Sequence, residues 1–129
     1  MRTLLLPLLL VATALLAEQD ERACIDWLQR WQLELPAQFA GCAEEGDGAA
    51  LYRVAAGQAE ALEALLIRQF GMAPLEFRGS DWEPARPGYR RTADGEHRIV
   101  LHSTPTLANR REDWERLDFH LRISALPPS

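Results

Sequence analysis

The stretch Leu117-Asp118-Phe119-His120-Leu121-Arg122-Ile123-Ser124 alternates apolar and polar residues without a break. Successive side chains of a strand point to opposite faces. Leu117, Phe119, Leu121 and Ile123 are therefore expected to face inward, and Asp118, His120, Arg122 and Ser124 outward. One face is dry and the other wet, which is the pattern of an antiparallel sheet covered on one side only.

The segments upstream fit around this strand. Tyr89 to Thr92 and His97 to Ser103 read as two strands joined at Asp94-Gly95, a strong hairpin signal. Leu75 to Arg78 is a further short strand, and Pro84, Pro87 and Gly88 mark an irregular loop around Trp82. Gln58 to Phe70 carries a helical stripe of Ala59, Leu62, Leu65, Leu66 and Phe70, with Gly71 in the position of a C-terminal glycine. Leu51 to Ala55 and Phe39 to Glu44 flank the turn Gly46-Asp47-Gly48 and suggest another hairpin. Asp20 to Leu35 reads as a first helix, with Asp20 at its start and Pro36 stopping it. The charged run from Thr106 to Trp114 holds one helical turn. This order predicts an α+β fold: an antiparallel sheet of about five to six strands, with two helices packed on one face.

The N-terminus predicts export. Arg2 is followed by the apolar run Leu4 to Leu16 and by small residues at Ala12, Ala14 and Ala17. The run is shorter than the roughly 20 residues needed to span a bilayer. Cleavage after Ala14 satisfies the small-x-small rule, while cleavage after Ala17 puts the charged stretch Glu18 to Glu21 just beyond the cut; the latter is favoured. Residues 1–17 are then a removed signal and 18–129 a single domain. Glu21-Arg22-Ala23 before Cys24 is no lipobox, so the expected product is free in the periplasm, without stable membrane anchoring. Cys24 and Cys42 are the only cysteines. In an exported chain such a pair is expected to form one disulfide, two buried thiols being the alternative.

All 14 basic residues are arginines, against 19 acidic residues, giving a net charge of −5. That balance disfavours nucleic acid as a partner. No cofactor loop, CxxC motif or zinc ligand set is present in the sequence. His97 and His102 fall on opposite faces of one strand, and the histidines are expected on a solvated surface. Only His102 and His120, with Asp118, could converge on a weak metal site. None of Ser80, Ser103, Ser124 or Ser129 lies in a nucleophile elbow. The reading is that of a binder rather than an enzyme. Tryptophan and arginine are enriched at interface hot spots. The candidate partner-binding residues are accordingly Trp82, Arg98, His102, Arg110, Arg111, Asp118, His120 and Arg122, on the outward sheet face and the adjoining loops. Burial is an equal expectation for Trp82 and the stronger one for Trp114.

The chain also resembles a known family. Gly41-Cys42, Tyr52-Arg53-Val54, Glu60 to Leu66 with Phe70-Gly71, Trp82-Glu83-Pro84, Gly88-Tyr89-Arg90, Asp94-Gly95, and Arg110 to Trp114 through Phe119-His120 follow one another as in a small exported bacterial family of unknown function. Some of its members resemble immunity proteins encoded beside type VI secretion effectors, notably phospholipases acting in the periplasm. The resemblance implies a protein that binds and neutralises a cognate toxin; the chain is expected to be monomeric when free. The alternative is a periplasmic small-ligand or envelope-binding module with an apolar pocket between sheet and helices. A small hydrolase using His102, His120 or Asp118 is the third reading.

Overall fold

The alternating stretch is the middle strand of the sheet. The computed structural model describes residues 24–127, so the signal segment lies outside the described residues. The elements are α1 (Trp27–Arg30), β1 (Ala37–Cys42), β2 (Ala50–Val54), α2 (Ala59–Phe70), β3 (Leu75–Phe77), β4 (Trp82–Pro84), β5 (Gly88–Thr92), β6 (Gly95–Ser103), a 3-10 helix (Arg111–Arg116) and β7 (Phe119–Ala125). Five strands form one antiparallel sheet in the order β1-β2-β7-β6-β5, and β3 pairs with β4 in a separate two-stranded ribbon. The expected α+β architecture with one disulfide is present.

Strand register fixes the two faces. Tyr52, Leu121 and Leu101 follow one another across β2, β7 and β6, as do Ala50, Ile123 and Ile99. All six are buried, together with Phe119. The stripe Ala59, Leu62, Leu66 and Phe70 of α2 packs on this face. Gly71 ends α2 in the left-handed conformation, with its N–H donating to the Ile67 carbonyl. Gly88 lets β5 pass under that helix end: a β-carbon there would lie 3.0 Å from Phe70 Cβ and 3.3 Å from its carbonyl oxygen.

The first helix is much shorter than the expected Asp20–Leu35. Asp26 caps it, its Oδ1 accepting from Gln29 N–H and from the Tyr52 hydroxyl at 2.8 Å. The same hydroxyl accepts from Leu28 N–H. Four residues later the helix closes in a Schellman turn: Leu33 N–H reaches the Leu28 carbonyl, Gln32 N–H reaches Gln29, and Gln32 has φ 56°. Bonding to β2 and early closure override the helical periodicity of the sequence. Cys24 and Cys42 are joined, which fastens this segment to the end of β1.

Two buried polar groups depart from expectation. Glu63, on the buried side of α2 in place of Leu65, accepts from Leu75 N–H at 2.7 Å and from both Arg111 guanidinium nitrogens at 2.8 and 2.9 Å. His97, expected at the surface, is fully buried between Trp27 and Trp31, with ring centroids 4.0 and 5.0 Å away. Its position in β6 gives it the same parity as Ile99 and Leu101, and that parity outweighs its polarity. The loop around Trp82 is likewise more regular than expected, because Trp82–Pro84 pairs with Leu75–Phe77.

Two predictions follow from these contacts. The Cys24→Ser/Cys42→Ser variant should lose about 2–5 kcal/mol of unfolding free energy in urea; an unchanged midpoint would show that the staple contributes nothing. Burial holds the His97 imidazole below the ordinary histidine value of 6.5, against a smaller upward pull from Asp94. The unfolded chain then takes up a proton that the folded chain refuses, so this stability is present above the ordinary value and declines as pH falls through it. His97→Phe should flatten the decline between about pH 7 and pH 5, and an unaltered pH profile would refute the assignment.

Candidate functional site: the open face of the sheet

The residues opposite in parity to the core form a second surface. Across it, Gln38, Arg53, His120 and His102 make one row through β1, β2, β7 and β6. Leu51, Arg122 and Val100 make the next, Ser124, Arg98 and Tyr89 the third, and Glu96 and Arg91 the last. Both helices pack on the other side. Arg53, Arg91 and Arg98 are exposed, and His102, His120 and Arg122 are half-buried. Ser124 also points outward by register, yet it is buried: its short side chain is flanked by Arg98 and Arg122 on the same face.

Four of the candidate residues therefore meet here: Arg98, His102, His120 and Arg122. His102 and His120 are direct cross-strand partners, with ring centroids 5.8 Å apart. His102 Nδ1 lies 3.3 Å from the Ser103 carbonyl oxygen. Burial, followed by the charges of His120 and Arg122, keeps the His102 imidazole below the ordinary histidine range, although the Ser103 carbonyl and Asp81 pull the other way. His102 is therefore neutral at neutral pH and offers both a donor and an acceptor. Asp118 has the same parity as His120 and is exposed at the lip of β7.

The other candidates lie elsewhere. Trp82 is only 5% exposed. Its indole N–H donates to the Ala108 carbonyl at 2.9 Å, and the ring meets Trp114 edge-on at 5.2 Å. It joins the core because β4 seats it there: its backbone N–H donates to Ser103 Oγ, an inward residue of β6. Arg111 is drawn inward by Glu63 and also covers the Trp114 ring at 4.4 Å. Its side chain, still 40% exposed, closes an ion pair with the buried Glu63. Arg110 is exposed at the start of the 3-10 helix, near Glu112, and is not part of the sheet face.

Three exposed residues escaped the sequence reading, the first two of them on this face. Arg53 stands beside His120 because β2 pairs with β7. Tyr89 is 40% exposed beside Arg98. Leu107, 88% exposed, rises from a loop held by Thr106 N–H to Ser80 O and Ala108 N–H to Thr106 Oγ1.

Among the described residues, no group of three or more His, Cys, Asp or Glu side chains is placed to hold a metal ion. No described helix is long and apolar enough to cross a membrane. A hollow of about 130 Å³ lies between Gly57, Ala59, Arg111 and Trp114, and two more open surface hollows of about 290 and 320 Å³ lie beside Pro36 and Val54 and beside Gly79 and Pro105, the larger two near the ~300 Å³ lower end of small-molecule pockets. Leu62, Leu66, Leu101, Leu121 and Ile123 fill the described space between α2 and the sheet. Compared with family models, with curated proteins and with solved structures, the chain matches none.

The His102 environment can be checked directly. In an NMR titration its imidazole should protonate below the ordinary histidine value, and His120→Gln should bring it closer to that value by removing a neighbouring positive charge. A His102 titration unmoved by His120→Gln would separate the two rings electrostatically.

Proposed function

We propose that this chain is an exported protein-binding module, and that its partner is the phospholipase toxin of a type VI secretion system, which it neutralises in the periplasm. The observation that carries the binding reading is the open face of the sheet. It combines fixed backbone, arginine and imidazole donors, the exposed Tyr89 and the half-buried Leu51 and Val100 on either side of Arg122. Apolar and aromatic groups inside a polar, arginine-bearing margin are the composition of protein interfaces. The face lies on a sheet braced from behind by α2, so little ordering cost opposes association. The Cys24–Cys42 disulfide is compatible with an extracytoplasmic location.

The toxin as partner is supported by the family resemblance and by the export signal. Occlusion of a toxin requires shape and charge rather than catalytic groups, and the face supplies both. The small-ligand alternative has less behind it, since side chains fill the described interior.

The test is co-expression with the toxin encoded beside this gene, directed to the periplasm of a bacterial host. The intact chain should restore growth and co-purify with the toxin. Val100→Trp, which puts bulk in the middle of the open face, should abolish both without unfolding the domain. Unchanged toxicity with no complex would refute the toxin reading, and undiminished protection by Val100→Trp would move the contact off this face.

A further inference from the structure

The charge on the open face runs against the charge of the chain. The protein is acidic overall, at −5, yet this one face gathers Arg53, Arg91, Arg98 and Arg122 around two histidines. Not all four arginines are available. Arg122 donates to Asp47 Oδ1 at 2.8 Å, and Arg91 donates to Glu96 Oε2 at 2.8 Å. Arg53 and Arg98 are exposed and form no ion pair with any described residue. The remaining described acids therefore leave two uncompensated guanidiniums here.

We propose that the open face recognises an acidic patch on a partner protein, with Arg53 and Arg98 as its two anchoring cations. This rests on the binding reading above and adds the chemistry of the partner's surface. The spacing sets the scale. Arg53 lies in the row of His120, and Arg98 in the row of Ser124, four residues along β7 and two strands away. Strand spacing and rise per residue put the two Cα atoms roughly 16 Å apart. One small anion cannot bridge that span, whereas two carboxylates on a protein surface can. Between the two cations lie the histidine pair, Leu51, Val100 and, at the centre, Arg122 with its charge already matched by Asp47.

Charge elsewhere sharpens the choice. Because the chain as a whole is acidic, its net charge opposes an acidic partner at long range, and the arginines of this face favour the orientation that presents it. Such an arrangement selects orientation and rejects wrong contacts. Nucleic acid fits less well. A continuous phosphate track would have to cross Asp47, Glu96 and Asp118, all set at the margins of the same face. Arginine's planar fork can donate to both oxygens of one carboxylate.

The experiment uses the isotope-labelled chain and poly-L-glutamate as the probe, followed by backbone amide NMR. Shifts should cluster at residues 51–53, 89, 98–102 and 120–124. Affinity should fall steeply with added salt, and Arg53→Glu/Arg98→Glu should weaken binding about tenfold or more. Arg53→Gln/Arg98→Gln, which only neutralises, should give an intermediate loss, and both variants should melt like the parent. No binding, shifts centred on Arg110 or Arg78, or tighter binding of double-stranded DNA than of poly-L-glutamate would each overturn the proposal. Co-expression separates this failure from that of the toxin reading. If the parent chain protects and Arg53→Glu/Arg98→Glu protects equally well, the binding function stands and the acidic-patch proposal falls.

Discussion

The pairing of β6 with β7 is the constraint on which the rest depends. Seven residues of β6 are in register with seven of β7, from His97 opposite Ala125 to Ser103 opposite Phe119. That register sends Ile99, Ile123, Leu101 and Leu121 to one side and His102, His120, Val100 and Arg122 to the other. A slip of one residue would exchange the faces entirely. The core and the candidate binding surface are thus two consequences of one ladder. The surface is anchored by the core behind it, because Arg98, Val100, His102, His120 and Arg122 each stand between two buried neighbours.

Around this ladder, polar groups that resemble binding groups in the sequence are spent on structure. Glu63 and Arg111 are 48 residues apart in the chain, yet a bidentate contact joins them, and Leu75 supplies both an N–H to the carboxylate and a carbonyl to the guanidinium. The cluster ties α2, β3 and the 3-10 helix at one point. Removing Arg111 would leave the buried Glu63 carboxylate without its cation, which is costly, whereas the partly exposed Arg111 could turn to solvent if Glu63 were removed. Trp82 is committed in the same way by Ser103 and Ala108. Arginine and tryptophan are the residue types favoured at interfaces, and their chemistry suits internal cross-links equally well. Residue type alone cannot separate the two uses.

The parity of single strands was legible in the sequence. The alternation from Phe119 to Ile123 assigned faces correctly, and the Asp94-Gly95 turn marked the β5–β6 hairpin. The helix from Gln58 to Phe70 and its Gly71 cap were also readable, because each depends on residues close in sequence. Facts that depend on strand order were not legible. Arg53 belongs to the open face beside His120 only because β2 sits next to β7, a pairing across almost seventy residues. His97 shows a different limit. Its parity was correct, but its polarity suggested solvent, and the two tryptophans that enclose it come from α1. The short α1 was misread for a related reason: Tyr52 reaches in from β2 to bond Asp26, and no local pattern encodes that contact.

The two faces of the sheet explain why an acidic chain can carry a cationic surface without losing stability. The sheet's inner side admits few charges, so the charged residues of β2, β6 and β7 are sorted by parity onto the outer side, while Arg90 of β5, opposite His97, lies against the Trp31 and Phe70 rings. Arginines clustered there would repel one another, and Asp47 and Glu96 relieve that at Arg122 and Arg91. Exposed pairs of this kind add little to stability, but they hold their side chains in fixed positions. Relief stops short of Arg53 and Arg98, where solvent screening bears the remaining charge. A partner's carboxylates would replace that solvent, so the charge left unpaired in the free protein is the part available for recognition.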